Sequence, residues 1–135
     1  MQLWFVLSSL ALIFWGLWGF FSKLTTVYLN PRSAFLYELL GSLIIGLVVL
    51  LIGFRPEVHP RGIALGIVTG LMLGLGHLLF FLAASKGKIS LVVMMTALYP
   101  AITILLAFVI LQEAITLKQG LGMLFTVAAI LLFAA

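Results

Sequence analysis

Apolar residues fill this chain in blocks of membrane-crossing length, separated by short polar joints. The blocks are Leu3–Phe21, Ser33–Phe54, Gly62–Ala84, Ile89–Leu111 and Leu117–Ala135. A helix needs about 20 predominantly apolar residues to cross about 30 Å of hydrocarbon, so each block predicts one transmembrane helix. Membrane β-barrels instead alternate apolar and polar residues at every second position, and these blocks do not. The expected fold is therefore all-α: a polytopic membrane helix bundle of five transmembrane helices in one domain over residues 1–135.

The joints Ser22–Arg32, Arg55–Arg61, Ser85–Lys88 and Gln112–Thr116 hold nearly all the charge. A domain needs about fifty residues, so no joint has room for a soluble one. The first block exceeds a signal-peptide core and lacks a basic leader. Phe21-Ser22-Lys23 follows it where a cleavage site would need small residues, so it reads as a retained helix. Asn30-Pro31 suits a helix start, because Pro fits the first turn and disfavours helix just before itself. Arg55-Pro56 and His59-Pro60 bracket the second joint, and Lys86-Gly87-Lys88 carries a C-terminal Gly signal with cations that suit the helix dipole.

Composition narrows the function. The chain is 65% hydrophobic and 7% charged, with three acidic residues and no Cys. Soluble domains carry about 45–50% apolar and about 25% charged residues, so a soluble globular fold is excluded. Disorder, disulfides and thiolate chemistry fail as well. The net charge of +4 comes from seven scattered Lys and Arg that form no phosphate-tracking stripe, so the expected surroundings are membrane lipid and not nucleic acid. All three acids are Glu (Glu38, Glu57 and Glu113), and with His59 and His77 they supply neither a Ser-His-Asp or Cys-His arrangement nor a metal-ligand spacing. No glycine-rich loop carries a Lys for nucleotide phosphates. We expect no enzyme, no metal and no cofactor.

Five crossings place the N-terminus and the joints around residues 55–61 and 112–118 on one side, side A. Side A then carries Arg55, Arg61 and Lys118, three cations; side B carries Lys23, Arg32, Lys86 and Lys88, four. A cytoplasmic side normally shows a clear Lys/Arg excess, and three against four is none. Either the topology is fixed by a margin of one, or the chain inserts both ways.

Small and polar residues mark the interior faces. Lipid gives helices no hydrophobic reason to associate, so small residues show where backbones approach. Gly62, Gly66, Gly70 and Gly74 form a ridge along the third helix, a packing face, and His77 projects beside it. Glu38, Gly41, Ser42, Ile45 and Gly46 form a second stripe, and Thr96, Tyr99, Pro100, Thr103 and Ala107 a third. Insertion scales charge about 2.5–3.5 kcal/mol for an ionised residue at mid-membrane, which singles out Glu38. At 1.5 Å per residue Glu38 lies roughly 7 Å inside side B, His77 roughly 13 Å and Tyr99 roughly 16 Å. Glu38 and His77 are thus candidates for a proton relay or cation site. The plainer readings are an ion pair snorkelling toward Arg32 or Lys23 for Glu38, and a packing histidine bonded to a carbonyl for His77. Pro100 removes a backbone hydrogen bond near the bilayer centre, as either a hinge or a static kink. Trp15, Trp18, Tyr37, Thr96, Tyr99 and Thr103 are candidate substrate-lining residues.

The order of these motifs resembles a known family. Trp15-Gly16 and Lys23 come first, then Phe80-Phe81-Leu82-Ala83-Ala84 into Ser90 and Leu98-Tyr99-Pro100. Leu111-Gln112-Glu113-Ala114-Ile115-Thr116 with Gln119-Gly120 and Gly122 closes the series. Together they resemble the EamA-type repeat of the drug/metabolite transporter superfamily over essentially the whole chain. In many members an Arg lies early in the second helix; here Glu38 takes that neighbourhood. The resemblance implies an inner-membrane secondary transporter of small metabolites or drugs. Members of this superfamily mostly carry two five-helix repeats in inverted orientation, whereas this chain resembles one. An odd helix count makes a tandem copy inverted automatically. The implied assembly is an antiparallel, dual-topology homodimer working by alternating access, with Glu38 coupling to protons by analogy with the membrane Glu of small multidrug resistance transporters. The alternative is a lipid-linked flippase subunit or accessory half that pairs with a related chain. Glu113, inside the matching motif, is expected to satisfy amides at the start of the fifth helix.

Overall fold

The computed structural model describes residues 2–134; Met1 and Ala135 of the expected 1–135 domain lie outside the described residues. Six helices and no strand occur among them: α1 (Leu3–Tyr28), α2 (Pro31–Leu51), α3 (Pro60–Lys86), α4 (Ile89–Thr96), α5 (Tyr99–Ile110) and α6 (Leu117–Ala134). Four spans are long and apolar enough to cross a membrane: α1, α2, α3, and α4 with α5 taken together. The fifth, α6, has 18 residues, about 27 Å at 1.5 Å per residue. This is an all-α, multi-pass membrane protein. It divides into two compact units, residues 1–86 and 87–135.

Helix boundaries differ from the sequence expectation in instructive places. The stretch Ser22–Tyr28 looks like a joint by polarity, yet α1 runs through it. Its hydroxyls turn back on the helix, Ser22 donating to the Trp18 carbonyl at 2.7 Å and Thr25 to the Phe21 carbonyl at 2.8 Å. Their polarity is thus absorbed without a break. Asn30 caps α2 as Asn-Pro predicts, its side-chain oxygen accepting the Ser33 N–H at 3.0 Å with Pro31 in the first turn. α3 starts at Pro60, where His59 Nδ1 accepts the Gly62 N–H at 3.2 Å. Between them Gly53 adopts φ +88, open to glycine at little cost.

The predicted kink appears as an interruption just before Pro100. Pro100 has no N–H for the Thr96 carbonyl, and its ring crowds that carbonyl. The chain tightens through Ala97 and Leu98, with Leu98 N–H reaching Met95 O at 3.4 Å and Ala101 N–H reaching Leu98 O at 3.0 Å.

In the N-terminal unit, burial gathers at one end. Gly19 and Ser22 of α1, Ala34 of α2, and Phe80, Phe81 and Ala84 of α3 are buried. By contrast every residue from Leu39 to Leu73 is exposed. Gly62, Gly66 and Gly70 of the glycine ridge belong to this open half, and Gly74 stands at its edge. A Cβ built on Gly66 or Gly70 meets nothing, one on Gly62 meets only His59, and one on Gly74 reaches Phe35 Cζ at an ordinary 3.8 Å. Within its own unit the ridge meets α2 at Gly74, and the buried residues of α3 lie beyond it. Ala84 is one of them: it is fully buried, and Lys23 Nζ donates to its carbonyl at 2.6 Å. Ala84→Leu is expected to cost about 1–3 kcal/mol by overpacking this contact, read as a lower unfolding midpoint in detergent.

Candidate functional site

Three helices of the N-terminal unit converge on one carboxylate. Trp18 lies on α1 one turn before buried Ser22, Glu38 on α2 one turn after buried Ala34, and His77 on α3 three residues before Phe80. Each functional side chain therefore extends an apolar contact stripe at helical spacing. Glu38 Oε1 accepts the Trp18 indole N–H at 2.9 Å and lies 2.5 Å from His77 Nδ1. Trp18 also stacks on the His77 imidazole, with ring centroids 4.5 Å apart at 30°, and packs against Phe80 at 4.6 Å. The Glu38 side chain is 15% exposed and that of His77 28%. The second carboxylate oxygen, Oε2, is buried and has no hydrogen-bond partner among the described residues.

Glu38 thus turns inward to α1 and α3, where the snorkelling alternative pointed it outward to Arg32 or Lys23. His77 bonds to a carboxylate and not to a carbonyl. Chemically, this is one acid and one imidazole sharing a contact that needs a proton between them, beside an oxygen with an open lone-pair site. A buried orphan acceptor costs about 1–3 kcal/mol unless something supplies a donor, and a proton or a ligand N–H would do so.

The remaining candidates divide. Trp15 and Tyr37 are 64% and 62% exposed and do not line this site. Tyr37 is rotated about 100° from Glu38 as its chain neighbour, and Trp15 sits one turn before the packed part of α1. Thr96, Tyr99, Pro100 and Thr103 belong to the C-terminal unit. Thr96 donates its hydroxyl to its own helix, and Tyr99 is 54% exposed. Pro100 and Thr103 line a cavity of about 510 Å³ bounded by Ala97 and Leu98, α5, the turn at residues 113–115 and α6. The sequence placed Phe80 and Phe81 in the family motif but not among the site candidates. Yet His77, Phe80, Phe81 and Ala84 follow the spacing i, i+3, i+4, i+7 that marks one helix face.

The EamA-like transporter family matches residues 2–135. The chain belongs to the EamA-like transporter family. An uncharacterized protein of Methanocaldococcus jannaschii is similar to it, 30% identical over 128 residues that cover 94% of this chain and 93% of that protein. No solved structure matches it significantly. As a membrane-embedded member of an EamA-like transporter family, the chain meets lipid on its outside and a small molecule in transport. Its Trp18 indole can be tested without disturbing the stack. Trp18→Phe keeps an aromatic ring against His77 and removes the N–H donated to Glu38. The expected loss is about 1–2 kcal/mol of unfolding free energy, since hydrogen bonds to charged groups run higher than the membrane average. A denaturation series in mixed micelles measures it.

Proposed function

We propose that this EamA-like chain is a secondary transporter of small metabolites or drugs in the inner membrane. Two copies in antiparallel orientation enclose the transport path by alternating access, and Glu38 couples the path to protons. The observation that carries the coupling is the Glu38 carboxylate itself: one oxygen is held by Trp18 and His77, and the other is buried without a partner among the described residues. Such an oxygen binds a proton or a substrate donor, and the two compete for it, which is what exchange requires. His77 holds the carboxylate in place and takes part in passing the proton on. The antiparallel pair rests on the three-against-four cation count and on the odd number of spans.

The test is flux in liposomes containing this chain alone. Uptake of a cationic dye or labelled metabolites under an imposed pH gradient, collapsed by a protonophore, supports the reading. Activity that appears only when a related second chain is added would replace the homodimer with a hetero-pair. Gradient-independent flux would remove the proton from the mechanism.

A further inference from the structure

The C-terminal unit holds a second acidic side chain whose expected task is already done by others. At the start of α6, Thr116 Oγ accepts the Gln119 N–H at 3.3 Å, while Gln119 Oε1 accepts the Thr116 N–H at 2.8 Å. This is a complete capping box, satisfying the amides that Glu113 was expected to satisfy. The preceding turn is closed without the Glu113 side chain too: Gln112 takes φ +56, its side-chain amide donates to Val109 O at 2.7 Å, and the Glu113 backbone N–H donates to Ala107 O at 3.3 Å. No hydrogen bond or ion pair to the Glu113 carboxylate occurs among the described residues, and Glu113, itself exposed, is among the residues that line the 510 Å³ cavity.

The rest of that cavity is apolar or hydrogen-bond accepting. Ala101, Ala107 and Gly122 keep the walls small and apolar, and Ile104, Phe108 and Met123 supply greasy surface. Its hydroxyls are already committed as donors: Thr103 Oγ donates to Tyr99 O at 3.3 Å and Thr126 Oγ to Gly122 O at 2.9 Å. What they offer the cavity is lone pairs. Apart from the Gln119 amide nitrogen, the polar side-chain groups of the lining are therefore acceptors, with Glu113 the one ionisable residue among them. The volume falls within the range of about 300–1,000 Å³ usual for small-molecule sites.

We propose that this cavity is a binding site for an alkyl- or arylalkylammonium, its charged nitrogen on Glu113 and its apolar body between α5 and α6. It is separate from the Glu38 site and does not depend on the transport reading. The ammonium can belong to a soluble amine or to the headgroup of an ethanolamine lipid.

The probe is radiolabelled 4-phenylbutylammonium, bound to the full chain in phosphatidylcholine nanodiscs, with empty discs subtracted. Saturable binding is expected, weakened about tenfold or more in Glu113→Gln, the usual scale for removing a charged hydrogen-bond partner. Neutral 4-phenylbutanol should compete at least tenfold less well than unlabelled ammonium. If Glu113→Gln does not fold, Ala101→Phe fills the cavity and is expected to abolish binding instead. Adding phosphatidylethanolamine to the discs separates the sources: a weaker apparent affinity assigns the site to the lipid headgroup, and no change assigns it to a soluble amine, both in support. Wild-type affinity in Glu113→Gln, equal competition by the alcohol, absence of saturable binding, or a loss seen in Glu38→Gln but not in Glu113→Gln overturns the proposal.

Discussion

Replacing Glu38 by Gln is expected to bring proton-driven flux down to the level of empty liposomes. The substitution keeps side-chain size and an oxygen that can accept from Trp18. It removes the ionisable oxygen that is buried without a partner beside it. Folding should tolerate it, because an amide N–H in place of Oε2 carries no charge to bury and the Trp18 bond survives. The unfolding midpoint is thus expected to move little while transport disappears, and that separation is the point of the measurement. A Glu38→Gln protein that still couples flux to the pH gradient would take Glu38 out of the mechanism and leave it a structural hydrogen-bond acceptor. His77→Ala gives the graded companion, with reduced flux and a retained gradient requirement.

A comparably large effect is expected from fixing the orientation of the chain. The cation count of three on side A against four on side B is poised, so few changes tip it. Glu57→Lys with Val58→Lys and Lys88→Ser makes the count five against three; Arg55→Ser with Arg61→Ser makes it one against four. Residues 57, 58 and 88 are exposed, so packing is left alone. Each altered protein expressed by itself should insert one way and transport at background, and co-expression of the two should restore flux. Reporter fusions read on both membrane faces follow the insertion directly. Full activity from either altered protein alone would show that parallel copies, or one copy, suffice.

Much of the fold was written in hydropathy. Five apolar blocks became four long spans and one shorter apolar helix, and Asn30-Pro31 marked a boundary because cap and proline chemistry are local. The errors arose where backbone carbonyls, of the same helix or a neighbouring one, absorb polarity. Ser22, Lys23 and Thr25 look like a loop until backbone carbonyls of α1 and α3 accept their donors. The site was legible through one residue, since a carboxylate within an apolar block is expensive wherever it points. Depth counting put His77 near the same level as Glu38. Nothing in the pattern distinguished Trp18 from Trp15, because both lie on α1 and only the packing of α2 and α3 decides which indole meets the acid. The glycine ridge was plain in the sequence, yet its spacing did not say whether the close neighbour would come from its own unit.

The length of α3 has a consequence for the surrounding bilayer. With 27 residues α3 is about 40 Å long. A hydrophobic thickness near 30 Å is shorter than that, so the rod leans. Acyl-chain length therefore becomes a control knob for this protein: shorter-chain lipids deepen the lean of α3, and longer chains let it stand more upright.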